Sequence, residues 1–237
     1  MAKPIRVSQI LVVTDGCSNV GSDPIVVAKE AKRQGIIVSV IGIVDADSKG
    51  AAGRDEAQAI AKAGGGLCRF VEVTDLSMTM QMVTRQTTQL TLHQAVNEEL
   101  RQLIGKETAM MPPEQRQEVV SFIDDLAEEA SLSLSLLIDV SASMTSKMND
   151  VVASVRELSI GLEARKGQFH LRVFTFPDGG SRQYAKELIL SHHEESLSEL
   201  IGRIKPAGNT PTGPALSETV VAMLAYRDDA PRRDSVV

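Results

Sequence analysis

Asp139, Ser141 and Ser143 alternate along the pentad Asp139-Val140-Ser141-Ala142-Ser143. In a loop, that spacing lets one carboxylate and two hydroxyls converge on a single point. Three hard oxygen donors suit a cation such as Mg²⁺, which favours octahedral oxygen coordination and retains several waters. The same residue types also suit a plainer task, because Asp139 and Ser141 can cap the first amides of a following helix. The pentad alone leaves both readings open.

The flanking sequence places the loop. Residues 132–138 form an apolar run, and Met148, Val151, Val152, Val155, Leu158 and Leu162 recur at helical spacing. A strand, a loop and a helix in that order put the pentad at the carboxyl end of a buried strand, where open α/β sheets bind their ligands.

The rest of the chain alternates in the same way. Residues 7–14 and 36–44 read as near-continuous apolar strands, as expected of a parallel sheet covered on both faces. Between them, Asp23 followed by Pro24 predicts a helix start, and Gly35 its end. Residues 54–63 predict a second helix stopped by Gly64-Gly65-Gly66, a C-cap and flexible turn that lacks the Lys and Ser/Thr of a phosphate-binding loop. Residues 67–73 predict a strand near the sheet edge, and Thr74-Asp75 the cap of a long helical stretch. Met78, Met80 and Met82 fall at a spacing that makes no single helix face.

Residues 84–106 predict a further helix ended by Gly105, and Pro112-Pro113 opens another with an apolar stripe from Val119 to Ala127. After the pentad come a strand at 170–176, a turn at 177–180 and an antiparallel edge strand at 185–190. A short helix at 197–204, a Thr210 loop, a helix opened by Pro214 and a charged tail complete the chain. The alternation predicts an α/β doubly wound fold, with a mainly parallel sheet and one antiparallel edge strand.

The pentad resembles the Asp-x-Ser-x-Ser signature of von Willebrand factor A domains, where it forms part of a metal-ion-dependent adhesion site. That family has two further site segments. The loop Gly208-Asn209-Thr210-Pro211-Thr212-Gly213 resembles its Thr-bearing loop, and Thr14-Asp15-Gly16 resembles its Thr-Asp-Gly strand end. In the family the Thr-Asp-Gly segment comes last; here it comes first. The resemblance thus implies a circularly permuted domain. Residues 1–83 would be its C-terminal half, 84–130 a helical connector and 131–237 its N-terminal half. The segment order also resembles an uncharacterised sporulation-associated group in endospore-forming bacteria.

By this resemblance, Ser141, Ser143 and Thr210 would contact Mg²⁺ directly, and Asp139 and Asp15 would hold its waters. Mn²⁺ or Ca²⁺ are alternatives, and Thr212 is an alternative to Thr210. The partner would be another protein that presents an acidic residue to the ion. Exchange of halves between two chains would give a domain-swapped homodimer.

Composition narrows the remaining classes. A net charge of -6 without a basic block gives nucleic-acid binding no support. Cys17 and Cys68 read as reduced thiols, and the apolar run at 10–13 is too short for a signal core or a membrane span, so a cytoplasmic location is expected. His93, His170, His192 and His193 show no His-x-x-x-His spacing, and neither Ser141 nor Ser143 stands in Gly-x-Ser-x-Gly. The expected role is therefore metal-dependent protein binding without catalysis. Two alternatives belong to other classes: a metal-free scaffold or oligomerisation protein, and a metal-dependent phosphotransfer or hydrolytic enzyme.

Overall fold

The computed structural model describes residues 5–44, 51–105, 107–178, 184–188 and 204–229. Among them, six strands form one sheet: β1 (Arg6–Thr14), β2 (Ile36–Ile43), β3 (Gly65–Val71), β4 (Ser131–Asp139), β5 (Phe169–Phe176) and β6 (Lys186–Leu188). The spatial order is β3-β2-β1-β4-β5-β6. All neighbours are parallel except β5 and β6, which pair antiparallel at the edge. This is the expected sheet class. The turn glycines Gly179 and Gly180, most of the short helix at 197–204, His192-His193 and most of the tail lie outside the described residues.

The central strands are apolar on both faces because both faces are covered. Leu11, Val13, Leu134, Leu136 and Ile138 point into one core, packed by α3 (Leu76–Ile104), α4 (Pro113–Glu129) and α5 (Met148–Glu163). Their alternates Ile10, Val12, Val38, Val40 and Leu137 point into a second core. That one is packed by α1 (Pro24–Arg33), α2 (Ala51–Gly64) and α6 (Thr212–Asp229). Successive side chains leave a strand on opposite faces, so each strand contributes to both cores.

Local signals explain several boundaries. The Asp23 carboxylate accepts the Ile25 amide at 2.8 Å, and Pro24 opens α1. Gly105 ends α3 in the left-handed region, at φ 67. The glycine triplet differs from expectation: α2 ends at Gly64 and β3 begins at Gly65, so no loop intervenes. A Cβ on Gly66 would lie 2.3 Å from the Val38 carbonyl oxygen, so this strand can pair closely only with glycine there.

The sequence suggested separate helical stretches after residue 75 and from residue 84. They form the single 29-residue helix α3. Its buried face carries threonines: Thr84, Thr87 and Thr88 are all under 5% exposed. Gln9 Nε2 donates to Thr88 Oγ1 at 2.8 Å, and the Ser39 and Thr87 hydroxyls lie 3.1 Å apart. A polar seam thus runs between helix and sheet, in which Gln9 bonds the Thr88 hydroxyl and the Thr84 carbonyl, and Ser39 bonds Thr87.

β1 is hydrogen-bonded to β2 on one side and to β4 on the other. Residues 1–106 and 131–237, made separately, would each expose an open sheet edge and half a core. Each fragment should show little cooperative unfolding by circular dichroism, and mixing them should restore it. Cooperative unfolding of 1–106 alone would contradict this dependence. Burial pushes the Cys68 thiol up to about 11. Its alkylation at pH 8 should therefore be much slower than that of free cysteine, and should accelerate as pH rises towards that value. A rate equal to free cysteine at pH 8 would show an exposed, unperturbed thiol.

Candidate metal centre

The register of β1 against β4 sets the site. Val13 pairs with Ile138, so Thr14 and Asp139 emerge side by side at the carboxyl ends of adjacent strands. The Thr14 hydroxyl donates to one Asp139 oxygen at 2.6 Å, and the Ser141 amide donates to the other at 2.8 Å. Asp139 is fully buried. Burial raises its pKa above the ordinary carboxylate value, and the negative charge of Asp15 adds to the rise; the Thr14 and Ser141 hydrogen bonds oppose it.

From Asp139 the loop leads outward through hydroxyls. The Ser141 and Ser143 Oγ atoms lie 3.2 Å apart, and Ser143 donates to Asp15 Oδ1 at 2.7 Å. Four of the five residues expected at a site are thereby joined. Asp15 and Ser143 are hydrogen-bonded directly although 128 positions separate them in the chain.

Thr210 enters through its backbone. Its amide donates to the Asn19 side-chain oxygen at 2.8 Å, and its carbonyl accepts the Asn19 amide at 3.1 Å. The Ala207 amide donates to the Val140 carbonyl at 3.1 Å, which ties the same segment to the pentad. Thr210 and Thr212 are both buried, and Thr212 opens α6. The three expected segments therefore meet at one end of the sheet.

Among the described residues, no group of three or more His, Cys, Asp or Glu side chains is placed to hold a metal. A cation here must therefore draw on hydroxyls. The 3.2 Å between the two serine oxygens is close to the about 2.9 Å that adjacent ligands span around octahedral Mg²⁺ at about 2.0–2.1 Å. Two carboxylates stand behind them, so hard oxygens and negative charge coincide. Ser141, Ser143, Asp139 and Asp15 fit such an ion.

Three contributors were not singled out in the sequence. Thr14 looked like a strand end, but it is the donor that holds Asp139. Asn19 carried no signal of its own, but it clamps the Thr210 backbone. Lys147 carries the third surprise: its ammonium donates to Asp15 Oδ2 at 2.7 Å, with only 7% and 3% of the two side chains exposed. A lysine just before a helix gives no sequence signal of such a contact, because it normally reads as a solvated residue.

The Thr210 loop and the loop after β1 pack too closely for larger side chains. A Cβ on Gly213 would lie 1.8 Å from the Ser22 carbonyl oxygen, and one on Gly21 would lie 2.2 Å from Pro214 Cγ. Gly213→Ala should force these loops apart and destabilise the protein by about 1–3 kcal/mol, the usual scale of overpacking. Urea denaturation measures this, and an unchanged midpoint would show that the loops are not held in contact.

Among the described residues, no helix is long and apolar enough to cross a membrane. The sequence model of the von Willebrand factor type A domain matches residues 2–86. The uncharacterized protein YabS of Bacillus subtilis strain 168 is 41% identical over 220 residues, covering 91% of this chain and 89% of that one. A crystal structure of an uncharacterized protein from Alicyclobacillus acidocaldarius is 40% identical. It superposes with a TM-score of 0.88 over 95% of this chain and 97% of that one. The proximal thread matrix protein 1 of the mussel byssus, with a zinc-occupied MIDAS motif, aligns at 15% identity and a TM-score of 0.27, a likeness too distant to bear on the site. Together with the six-stranded, mainly parallel sheet, these matches show that the chain belongs to the von Willebrand factor type A domain family.

Proposed function

We propose that the protein is a metal-dependent protein-binding module. Domains of its family commonly serve in protein interaction. The observation that carries the reading is the hydrogen-bonded chain Thr14–Asp139–Ser141–Ser143–Asp15 at the carboxyl ends of β1 and β4. Ser141, Ser143 and Thr210 would be direct ligands; Asp139 and Asp15 would hold water on the ion. Bound there, a divalent cation supplies strong positive field, little of it neutralised by the neutral hydroxyls. A partner's Asp or Glu side chain then has a reason to bind at this spot.

We also read the chain as one domain in exchanged order. The central pairing of β1 with β4 supports this, because it sets the Thr-Asp-Gly strand beside the pentad strand. We infer binding without turnover. His93 lies against Asn97 and His170 against Tyr226, so neither is engaged with Ser141 or Ser143 as a base. The free thiols Cys17 and Cys68 accord with a reducing, cytoplasmic setting.

A metal-free scaffold is favoured by a different observation, the Lys147–Asp15 ion pair, which satisfies an acidic group without metal. Calorimetry separates the two. Mg²⁺ should bind the full chain, and Ser141→Ala with Ser143→Ala should weaken that binding by at least about tenfold while the fold persists, the scale of lost ligand support at a metal site. Mg²⁺ should also raise the melting temperature by mass action on the native state, and Asp139→Asn should remove most of that rise. Equal affinity in the serine double variant would move the site elsewhere. No binding at millimolar Mg²⁺ or Mn²⁺ would leave the scaffold.

A further inference from the structure

We propose that Lys147 is a built-in competitor of the divalent ion: its ammonium holds Asp15 in a latched state and is expelled when metal loads. This rests on the reading of the site as a divalent-cation centre.

Several observations make the lysine's position unusual. Its ammonium sits 2.7 Å from Asp15 Oδ2, and both side chains are almost sealed from water. It occupies the residue before α5, where its carbonyl accepts the Val151 amide at 3.0 Å. The amino end of a helix carries partial positive charge, which disfavours a cation. Burying an ammonium is costly unless a counter-charge accompanies it. Asp15 supplies that counter-charge, and Ser143 takes up its other oxygen. The same carboxylate is the group that would hold water on a metal. One acidic side chain therefore serves two cations.

Both cannot stay. The Lys147 ammonium lies 2.7 Å from one Asp15 oxygen, and the Ser143 hydroxyl, a proposed ligand of the ion, lies 2.7 Å from the other. A divalent ion on Ser143 would thus stand across one carboxylate from a buried ammonium. Like charges so close and so poorly solvated repel strongly. Release of the lysine removes that repulsion. Its four-carbon stem lets the ammonium reach water by rotamer changes, and the neighbouring Thr145, Ser146 and Asn149 are exposed. In the latched state Asp15 is occupied by Lys147; in the loaded state it is available to the ion. The device thus makes partner binding depend on the free concentration of the divalent ion.

The test combines labelling with calorimetry on the full chain, using MgCl₂ as the probe. Lys147 in the wild type is acetylated under limiting reagent, and its modification is followed by peptide mass spectrometry in Mg²⁺ and in EDTA. Lys147 should react several-fold faster in Mg²⁺ while the other lysines keep their rates. Lys147→Met should bind Mg²⁺ roughly tenfold or more tightly than wild type, the scale of one neighbouring charge removed from a poorly solvated site. The labelling arm uses the wild type, so it stands even if the variant folds poorly. Mg²⁺ binding to both proteins with unchanged Lys147 labelling overturns the latch and leaves the metal site intact. Equal or weaker affinity in a folded Lys147→Met protein also overturns it. Failure of both proteins to bind Mg²⁺ overturns the metal site and the latch together.

Discussion

The site depends on one backbone interaction, the parallel pairing of β1 with β4. Those strands lie more than a hundred residues apart in the chain, and each is buried on both faces. Their register brings Thr14 beside Asp139, and Asp15 after β1 with Ser141 and Ser143 after β4 carry the arrangement outward. A slip of one residue would turn the alternating side chains to the wrong core and separate Asp139 from its Thr14 donor. The two aliphatic cores on either side of the sheet enforce the register. Packing energy spent on Leu11, Val13, Leu136 and Ile138 thereby fixes the position of a polar cluster at the strand ends.

The cluster carries an internal electrostatic tension. Asp139 is fully buried, so desolvation works against its charged form; two hydrogen bonds offset that only in part. Asp15 adds a second negative charge nearby. Lys147 relieves part of the strain from within the chain, and a divalent ion would relieve it from outside. A cation close to both carboxylates favours their charged forms. The hydroxyls of Ser141 and Ser143 complete the set without adding charge.

Much of this was legible in the sequence, for identifiable reasons. The strand at 36–44 and the segments 10–13 and 136–138 announced themselves as runs of Val, Ile and Leu, since a parallel strand covered on both faces is largely apolar on each. Asp23-Pro24 and Gly105 marked helix ends through backbone chemistry that needs no tertiary context. Helix α3 was harder, because its buried face carries Thr84, Thr87 and Thr88 in place of aliphatic residues. Those threonines meet Gln9 and Ser39 across the sheet, a partnership that periodicity cannot reveal. The glycine triplet misled in the same way: Gly66 is required by contact with Val38, which lies far off in sequence. The pentad stood out by its residue types and spacing, and Asp15 and Thr210 by likeness to a family motif. Lys147 was not, because a single lysine becomes informative only when its counter-ion is known.

Anomalous scattering from crystals of the full chain grown with Mn²⁺ tests the central claim most directly, since Mn²⁺ accepts the same hard oxygen ligands as Mg²⁺. The account predicts one strong peak within bonding distance of the Ser141 and Ser143 hydroxyls, with the Asp15 and Asp139 carboxylates a water's span away. Absence of any peak there at millimolar Mn²⁺, or a peak at the opposite end of the sheet, would contradict it.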